Sequence, residues 1–379
     1  MRLETRFFQR NGGWSSELPT GLDSDDTFVV CFGGAAFCET PSALLGIRAA
    51  FPRSRVLGCS TAGEIYKDAV HDDTLVVAIA RMEHTGVRTA STHIGPGAQS
   101  FRAGQELARR LAAPDLRAIF LLSDGLQVNG SELVRGVSSG TPESVSVTGG
   151  LAADGERFQR TWVFDGDIVG AERVVALGIY GERAVVTHGS KGGWDIFGPE
   201  RRITKSDGNV LHELDGKPAL KLYKEYLGDR AVGLPATALL FPLAVRASER
   251  QEKQLVRTIL AVNEEEQSIT FAGDVPVGSF AQLMRANFDR LVTGASDAAT
   301  MATGPWSDGS AILSIAISCV GRRLVLGERT EEEIEAVRDV LPTSTKQVGF
   351  YSYGEISPFA SGSCDLHNQT MTLTTVSER

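Results

Sequence analysis

The sequence predicts an α/β protein of two domains, whose mixed sheets are built from repeated β-α-β units with glycine-rich turns at the strand ends. The chain has 379 residues, more than the roughly 100–200 of one typical domain. Apolar, β-branched runs alternate with stretches of helical periodicity, as in α/β folds. Two distant stretches, GCSTAGEI at 58–65 and GFYSYGEI at 349–356, share the pattern Gly-x-x-x-x-Gly-Glu. Such repetition indicates a recurring structural unit.

The first β-α-β unit begins with a buried strand, TFVVCFGG, at 27–34. Thr40 and Pro41 supply an N-cap and a first-turn proline for a helix. The second strand is RVLGCST at 55–61, and another strand is predicted at 73–83. The predicted apolar face of the helix consists of Leu44, Ile47 and Phe51.

A second unit resembles the first. It contains a strand at 117–125, a helix from about Ser131, and a strand with a glycine-rich turn at 143–155, ESVSVTGGLAADG. The register of its turn differs from the first by about one residue. A helix at 100–112, capped by Ser100, precedes this unit, and 162–187 predicts antiparallel strands joined by hairpins.

The second half of the chain ends in a third unit. Before it we expect a helix at 217–228, strands at 237–245, 255–262 and 268–276, and a helix at 279–292. The unit itself comprises a strand at 311–319, a helix at 328–342 and a strand at 346–356. Thr330 and Glu333 have capping-box spacing at the start of that helix.

The domain boundary is predicted from a cluster of glycine, proline and charged residues at 198–218, which follows a complete set of strands. We therefore expect an N-terminal extension at 1–25, a first domain at 26–205 and a second domain at 206–379.

Composition argues against several classes of protein. The formal net charge of -9 opposes binding to nucleic acid or anionic lipid. Apolar runs stay shorter than the roughly 18 residues of a membrane span, and the N-terminal residues lack the apolar core of a signal peptide. Five scattered cysteines without a CxxC pair predict reduced thiols, and hence a cytoplasmic protein.

The strand-end turns are the predicted ligand site, because crevices of α/β sheets lie at the carboxyl ends of strands. Glu64 and Glu355 would accept hydrogen bonds from a ligand, and Arg322 with Arg323 would clamp a carboxylate or phosphate. Ordinary turn chemistry or solvation is the alternative for each. The predicted ligand-binding residues are Cys59, Ser60, Thr61, Gly63, Glu64, Asp124, Asn129, Arg285, Arg322, Tyr351, Tyr353 and Glu355.

Two other chemistries, serine hydrolysis and haem binding, have candidate residues in the sequence. GCSTA at 58–62 approximates a nucleophile elbow with Ser60, but the polar residues after Gly63 interrupt the helix that an elbow requires. The six histidines show no HxxxH or HxH pairing, which disfavours zinc. A single axial histidine suffices for haem, and His188 and His367 are the candidates.

The sequence resembles the FIST family, with its N-terminal and C-terminal domains. The resemblance extends from about Asp26 to Thr375 and rests on seven motifs in order: VLGCSTAGEI, SVTGGLAADG, KSDGNVLHELDGKPALKLYKEYLG, ITFAGDVPVGSFAQLMR, SCVGRR, VGFYSYGEI and LHNQTMTLT.

The resemblance implies a cytoplasmic sensory protein of signal transduction that binds small ligands such as amino acids, without catalysis. It also implies a separate signalling partner, such as a histidine kinase or a cyclic-dinucleotide enzyme. Some proteins similar to this family bind haem and sense nitric oxide, so haem b is the alternative ligand.

Overall fold

The computed structural model describes residues 1–96, 98–246, 255–307, 309–358 and 364–379, except for the side chain of residue 236. The described α-helices are α1 (Ser42–Ala50), α2 (Ala98–Leu111), α3 (Gly130–Ser139), α4 (Ala219–Leu227), α5 (Phe288–Met301), α6 (Val320–Leu326) and α7 (Thr330–Val340).

The strands of the described residues form four sheets. Those of the first half are β1 (Arg2–Gln9), β2 (Gly13–Trp14), β3 (Thr27–Gly34), β4 (Arg55–Thr61), β5 (Glu64–Tyr66), β6 (Ala69–His71), β7 (Thr74–Arg81), β8 (Gly86–His93), β9 (Leu116–Ser123), β10 (Ser146–Leu151), β11 (Val163–Phe164), β12 (Val169–Gly170), β13 (Arg173–Tyr180) and β14 (Ala184–Lys191).

Those of the second half are β15 (Trp194–Ile196), β16 (Arg201–Asp207), β17 (Val210–Leu214), β18 (Lys217–Pro218), β19 (Leu243–Arg246), β20 (Leu255–Arg257), β21 (Ile259–Asn263), β22 (Ser268–Phe271), β23 (Phe280–Ala286), β24 (Ile312–Cys319), β25 (Thr345–Ser352), β26 (Gly354–Pro358), β27 (Cys364–His367) and β28 (Met371–Glu378).

Three copies of one arrangement, here called repeats 1, 2 and 3, build the first three sheets. In each repeat a helical segment joins two parallel strands, which confirms the three predicted β-α-β units; in repeat 3 this segment contains two helices, α6 and α7. The parallel pairs are β3 with β4, β9 with β10, and β24 with β25. A later strand, β7, β13 or β28, lies antiparallel to the first strand of each pair. The other edge of this later strand pairs with an earlier antiparallel strand, which is β1, β8 or β14 respectively.

Each repeat completes its sheet with a hairpin from another repeat. Within its own repeat, the second strand of each parallel pair has one edge without a partner, and the incoming hairpin pairs with this edge. β11 of repeat 2 pairs with β4, β26 of repeat 3 pairs with β10, and β5 of repeat 1 pairs with β25. The exchange is cyclic, so each repeat depends on the other two for a complete sheet.

The inner faces of these three sheets share one apolar core. Phe28 and Phe32 of repeat 1 pack there with Phe120 of repeat 2 and Phe350 of repeat 3. The rings of Phe32 and Phe350 lie 4.7 Å apart. Helices cover the outer faces: α1 on the sheet of repeat 1, α2 and α3 on that of repeat 2, and α5 and α7 on that of repeat 3. Amphipathic helices and two-faced sheets thereby bury their apolar sides.

The fourth sheet is an insertion within repeat 3. Nine antiparallel strands, β15 to β23, lie between β14 and α5 and carry helix α4 on an apolar core of their own. Tyr223 of α4 and Phe271 of β22 are buried in this core. The segment leaves the repeats at Gly192 and Gly193 and returns at Asn287.

The predicted domain limits differ from the sheet boundaries. The segment 1–25, predicted to be an extension, contributes β1 and β2 to the sheet of repeat 1. The predicted boundary at 205 falls inside β16, whereas the change of sheet occurs between β14 and β15. Of the three sheets built by the repeats, two combine strands from both sides of residue 205, because hairpins are exchanged between repeats.

The helix predicted at 279–292 was wrong in its first half. Phe280–Ala286 is strand β23, which pairs with β15, β16 and β19. The apolar spacing of this stretch was compatible with a helix, but strand partners on both sides decide the backbone. The helix begins afterwards at Phe288, where the Asn287 side chain accepts a hydrogen bond from the backbone N–H of Arg290.

The N-cap predicted at Thr40 does not form, since Pro41 occupies the N-cap position of α1 and no side chain caps this helix. Two other predicted caps, at Ser100 and Thr330, do not form either. Ser100 lies inside α2, and its hydroxyl donates to the carbonyl of Gly95 (2.5 Å). Thr330 likewise donates to the carbonyl of Gly327, while Glu333 points into a buried cluster. In both cases tertiary partners outcompete a local cap for the side chain.

Several strand predictions also need correction. The single strands predicted at 255–262 and 346–356 are each two strands, β20 with β21 and β25 with β26. The stretch predicted as one strand at 237–245 is a 3-10 turn, Ala236–Leu240, followed by β19, since Pro242 interrupts it. Among the strands of 162–187, β11 and β12 form a hairpin, but β13 and β14 lie in different sheets. Strand β14 finds its partner in β28.

The first glycine of the Gly-x-x-x-x-Gly-Glu pattern is explained by strand packing. A Cβ added to Gly58, Gly149 or Gly349 would overlap the carbonyl oxygen of the neighbouring parallel strand, on Cys31, Leu121 and Ala316 respectively. The three glycines are therefore equivalent positions in the three repeats. The closely packed carbonyl, rather than a turn, requires glycine there.

We predict that Gly349→Ala lowers the free energy of unfolding by about 1–3 kcal/mol, because the methyl group displaces the backbone of β24. Chemical unfolding followed by circular dichroism measures the effect. Gly46→Ala is the matched control, since this exposed glycine of α1 has open space around it and alanine favours helix by about 0.5–1 kcal/mol. Equal changes in the two variants would contradict the packing explanation.

Candidate functional site

The strand ends of the three repeats meet, as expected for carboxyl ends of parallel pairs. The backbone N–H of Ala62 donates to the carbonyl of Tyr351 (2.8 Å), and the N–H of Tyr351 donates to that of Gly63 (2.9 Å). The N–H of Ala153 donates to the carbonyl of Ser60 (3.0 Å). The predicted turns are thus brought together in space, although they lie far apart in the chain.

Glu64 is buried and holds the two ends of its own hairpin. Its carboxylate accepts hydrogen bonds from the Thr61 hydroxyl, from the backbone N–H of Thr74 (2.9 Å) and from the Thr74 hydroxyl (2.6 Å). Burial raises its pKa to about 7, and these hydrogen bonds offset part of that shift. Glu64 therefore closes a turn rather than facing solvent.

Glu355 repeats this arrangement in repeat 3. Its carboxylate accepts hydrogen bonds from the Ser352 hydroxyl (2.6 Å) and from the N–H and hydroxyl of Thr370 (3.2 and 3.0 Å). Burial raises its pKa to about 8. The shared motif is a hydroxyl residue three positions before the glutamate and a threonine that opens the returning segment. Both glutamates therefore connect the two ends of their hairpins through buried hydrogen bonds.

Asp154 has the corresponding place in repeat 2, one residue earlier. It accepts hydrogen bonds from the backbone N–H groups of Phe158, Gln159 and Arg160 (2.8–2.9 Å) and from the hydroxyl of Tyr353. Burial raises the pKa of Tyr353, whose ring stacks on that of Phe158. Tyr353 thus joins repeat 3 to repeat 2.

An open cavity of about 490 Å³ adjoins these strand ends. The turns of repeats 1 and 2 contribute Ala62 and Gly155, and α6 contributes Arg323. We call it the Arg323 cavity. Its other lining residues are Val70, Glu156, Val320, Leu324, Gly327, Glu328, Thr330 and Glu331.

Arg323 crosses from repeat 3 to repeat 1 at this cavity. Its guanidinium donates to the carbonyl of Ala62 (2.5 Å) and pairs in bidentate fashion with Asp72 (2.7 and 2.6 Å). These bonds lower the pKa of Asp72. The guanidinium also lies 5.6 Å from the ring centre of Tyr351. A side chain on Gly63, whose φ is +128°, would overlap it, which explains the second glycine of the pattern in repeat 1.

Arg322, the neighbouring residue, is structural. It is fully buried and forms an ion pair with Glu333 (2.7 Å), which also accepts hydrogen bonds from Ser318 (2.9 Å) and Tyr351 (2.8 Å). Arg322 further donates to the carbonyls of Gly192 (2.9 Å) and Leu291 (2.8 Å). Arg322 thereby binds both segments that connect repeat 3 to the insertion.

Cys59 and Ser60 are buried and do not line the Arg323 cavity. Burial raises the pKa of the Cys59 thiol well above its usual range, which opposes reactivity. The Ser60 hydroxyl accepts the backbone N–H of Trp162 (3.0 Å) and has no exposed surface. A substrate could not reach this serine without local opening, so the geometry gives no support to a nucleophile elbow.

Asp124 and Asn129 serve the start of α3 and its approach. Asp124 is buried and accepts backbone N–H groups of Leu126 (2.7 Å) and Gln127 (2.8 Å). Asn129 is the N-cap of α3 and donates to Asp274 of the insertion (2.8 Å). The turn chemistry considered for both residues is what the structure shows.

Arg285, predicted within a helix, lies in β23 at a different cavity from Arg323. The candidate haem ligands also lie elsewhere. His188 is in β14 with a buried Nδ1 that lacks a hydrogen-bond partner in the described part of the chain, and His367 is in β27 with Nε2 2.9 Å from the carbonyl oxygen of Ser357. Neither histidine lines the Arg323 cavity.

Sequence reasoning missed most of the charged residues around the cavity. Asp72, Glu156, Glu328 and Glu331 stand in polar stretches typical of solvated loops and helix starts. The sequence contained a usable signal only for Arg323, in the motif SCVGRR. It could not tell which of the two adjacent arginines lines the cavity. The helix settles this, because neighbouring residues point about 100° apart.

Among the described residues, no group of three or more histidine, cysteine or acidic side chains is arranged to hold a metal ion. The helices described here include none that is long and apolar enough to cross a membrane.

We predict that Glu64→Gln and Glu355→Gln reduce the pH dependence of stability. Their folded-state pKa values exceed the ordinary value of 4.5, so the native protein binds these protons more tightly than the unfolded chain. Wild-type stability should therefore fall as pH rises from about 5 to 8, by on the order of 3 kcal/mol for Glu64. Glutamine removes the titration: its amide oxygen can still accept the hydrogen bonds from Thr74 or Thr370, while its NH2 group donates to the hydroxyl of Thr61 or Ser352.

Unfolding free energies at pH 5, 6, 7 and 8 measure this effect. Glu335→Gln, at an exposed position of α7, is the control with the same change in charge. If the two buried variants show the same pH profile as this control, the carboxylates do not titrate as the geometry requires.

Comparison with known proteins identifies two matching domains. The FIST N domain matches residues 27–217, and the FIST C domain matches residues 219–358. An uncharacterized protein of Methanocaldococcus jannaschii is 28% identical over 166 residues, which cover 39% of this chain and 31% of that protein. The chain thus matches about a third of that relative's length.

Among solved structures, a cyanuric acid hydrolase from A. caulinodans aligns over 100% of this chain and 99% of its own, with 8% identity and a TM-score of 0.39. Similarity at this level identifies neither fold nor function. The two domain matches, by contrast, cover most of the chain in order. The protein therefore belongs to the FIST family, whose N and C domains are small-ligand sensory domains of signalling.

Proposed function

We propose that the protein senses a free amino acid, which it binds in the Arg323 cavity. The observation that carries this proposal is the position of Arg323 at the meeting point of the strand ends, with carboxylates on the surrounding wall. A cavity of about 490 Å³ lies within the range of small-molecule sites.

The lining offers a partner for each part of a zwitterion. The guanidinium of Arg323 suits the α-carboxylate, since arginine binds carboxylates in bidentate fashion. Glu156, Glu328 and Glu331 suit the α-ammonium, and Leu324 provides an apolar surface for a side chain. The excess of acids over bases favours a ligand that carries a positive charge.

Binding would exchange one carboxylate for another. The Asp72 side chain is 67% exposed, so its ion pair with Arg323 contributes little to stability and can be replaced. Asp72 belongs to the turn between β6 and β7, and Thr74, two residues later, holds Glu64. A ligand that displaced Asp72 would therefore change the conformation of the turn that is hydrogen-bonded to Glu64. This conformational change is the proposed signal.

The wider function follows from the family and the thiols. We propose a cytoplasmic protein, because the five cysteines are free and do not form disulfides. The protein would signal through a separate partner, such as a histidine kinase or a cyclic-dinucleotide enzyme, and would not itself catalyse a reaction.

We expect one or more L-amino acids to raise the melting temperature of the wild-type protein in a thermal-shift screen, because a ligand that binds the folded state stabilises it. Arg323→Gln should weaken binding at least tenfold, as measured by calorimetry, since a charged hydrogen bond contributes about 1.5–3 kcal/mol.

The control is Arg110→Gln, which removes an exposed arginine of α2 that pairs with Glu106. Equal affinities of the Arg323 variant and the wild type would refute the cavity assignment. A Soret band on addition of haem, lost in His188→Ala or His367→Ala, would instead support the rival prediction of haem binding.

A further inference from the structure

A second and larger cavity lies where the insertion meets repeat 3. Its volume is about 760 Å³. Phe197 and Phe241 of the insertion and Phe288 of α5 contribute aromatic walls, and Leu324 of α6 lines it as well. We call it the junction cavity. Leu324 also lines the Arg323 cavity, so α6 separates the two.

The aromatic walls are more exposed than such rings usually are. Phe197 is 40% exposed and Phe288 is 46% exposed. Large exposed apolar side chains grouped around a concavity mark binding sites more often than scattered ones do. An apolar or aromatic ligand would remove this surface from water, with a favourable free energy.

Cations accompany the rings. The guanidinium of Arg285 lies 5.7 Å from the ring centre of Phe197, and that of Arg230 lies 5.3 Å from the ring centre of Phe241. Both arginines line the junction cavity. Contact with a ring face holds a guanidinium in place, while its N–H donors, which lie in the guanidinium plane, remain free for another partner.

These two arginines have no acidic partner in the part of the chain that the structure describes, where neither forms an ion pair or a side-chain hydrogen bond. Arg329, which stacks on Phe288, differs, since it pairs with Asp289 (3.0 Å) and Glu332 (2.8 Å). Among the described residues that line the junction cavity, Asp229 is the one with a carboxylate. With two arginines and one aspartate, the described lining of the junction cavity carries a net positive charge beside its aromatic walls.

We propose that the junction cavity binds an aromatic carboxylate. The ring system would lie among Phe197, Phe241 and Phe288, and the carboxylate would bind Arg285 and Arg230. This site is separate from the Arg323 cavity, whose lining is mainly acidic, and the proposal does not depend on amino-acid binding there. The two cavities select ligands of different charge on opposite sides of α6.

The test uses 1-anilinonaphthalene-8-sulfonate, an aromatic anion that fluoresces when it leaves water. We expect saturable binding to the folded wild-type protein, displaced by 2-naphthoate but not by uncharged 2-naphthol. Arg285→Gln and Arg230→Gln should each raise the Kd for the probe about tenfold. Phe288→Ala should also weaken binding, because it removes an aromatic wall.

Arg88→Gln is the matched control, since Arg88 is exposed and stacks on Tyr180 (4.8 Å) outside the junction cavity. Circular dichroism of each variant checks that the fold is kept. The proposal is overturned if the wild type does not bind the probe, if 2-naphthol competes as well as 2-naphthoate, or if the Arg285 and Arg230 variants match the Arg88 variant.

Discussion

The close packing of two parallel strands at a single glycine in each repeat is the constraint on which the rest of the fold depends. At Gly58, Gly149 and Gly349 the neighbouring strand brings its carbonyl into the space of a side chain. Glycine lets the two parallel strands of each pair stay this close up to the strand ends, which contact those of the other repeats. The hairpins that follow can then reach the sheet of another repeat.

The buried acids keep these exchanged hairpins closed. Glu64 and Glu355 each bind a hydroxyl residue before the turn and a threonine after it. Such groups are costly to bury unless their hydrogen bonds are satisfied, and both carboxylates meet that condition. Their role is to define the geometry of the strand ends, against which a ligand site can be built from other residues.

Helix α6 gives two adjacent arginines opposite roles. Arg322 points inward, satisfies the buried Glu333 and fastens both chain crossings to the insertion. Arg323 points outward, bridges to repeat 1 and lines a cavity. The same helix presents Leu324 to both cavities. A displacement of α6 would therefore change its contacts with the repeats, with the insertion and with each proposed ligand. Such coupling suits a sensory protein.

The sequence by itself determined the local elements: three β-α-β units, the recurrence of the Gly-x-x-x-x-Gly-Glu turns and the family. These are readable because periodicity and turn residues act over a few neighbours. Only the tertiary structure decided which repeat supplies each hairpin, that 280–286 is a strand, that Glu64 and Glu355 face inward, and that Arg323 rather than Arg322 reaches a cavity. Those outcomes depend on partners that are distant in the chain, and no local pattern specifies them.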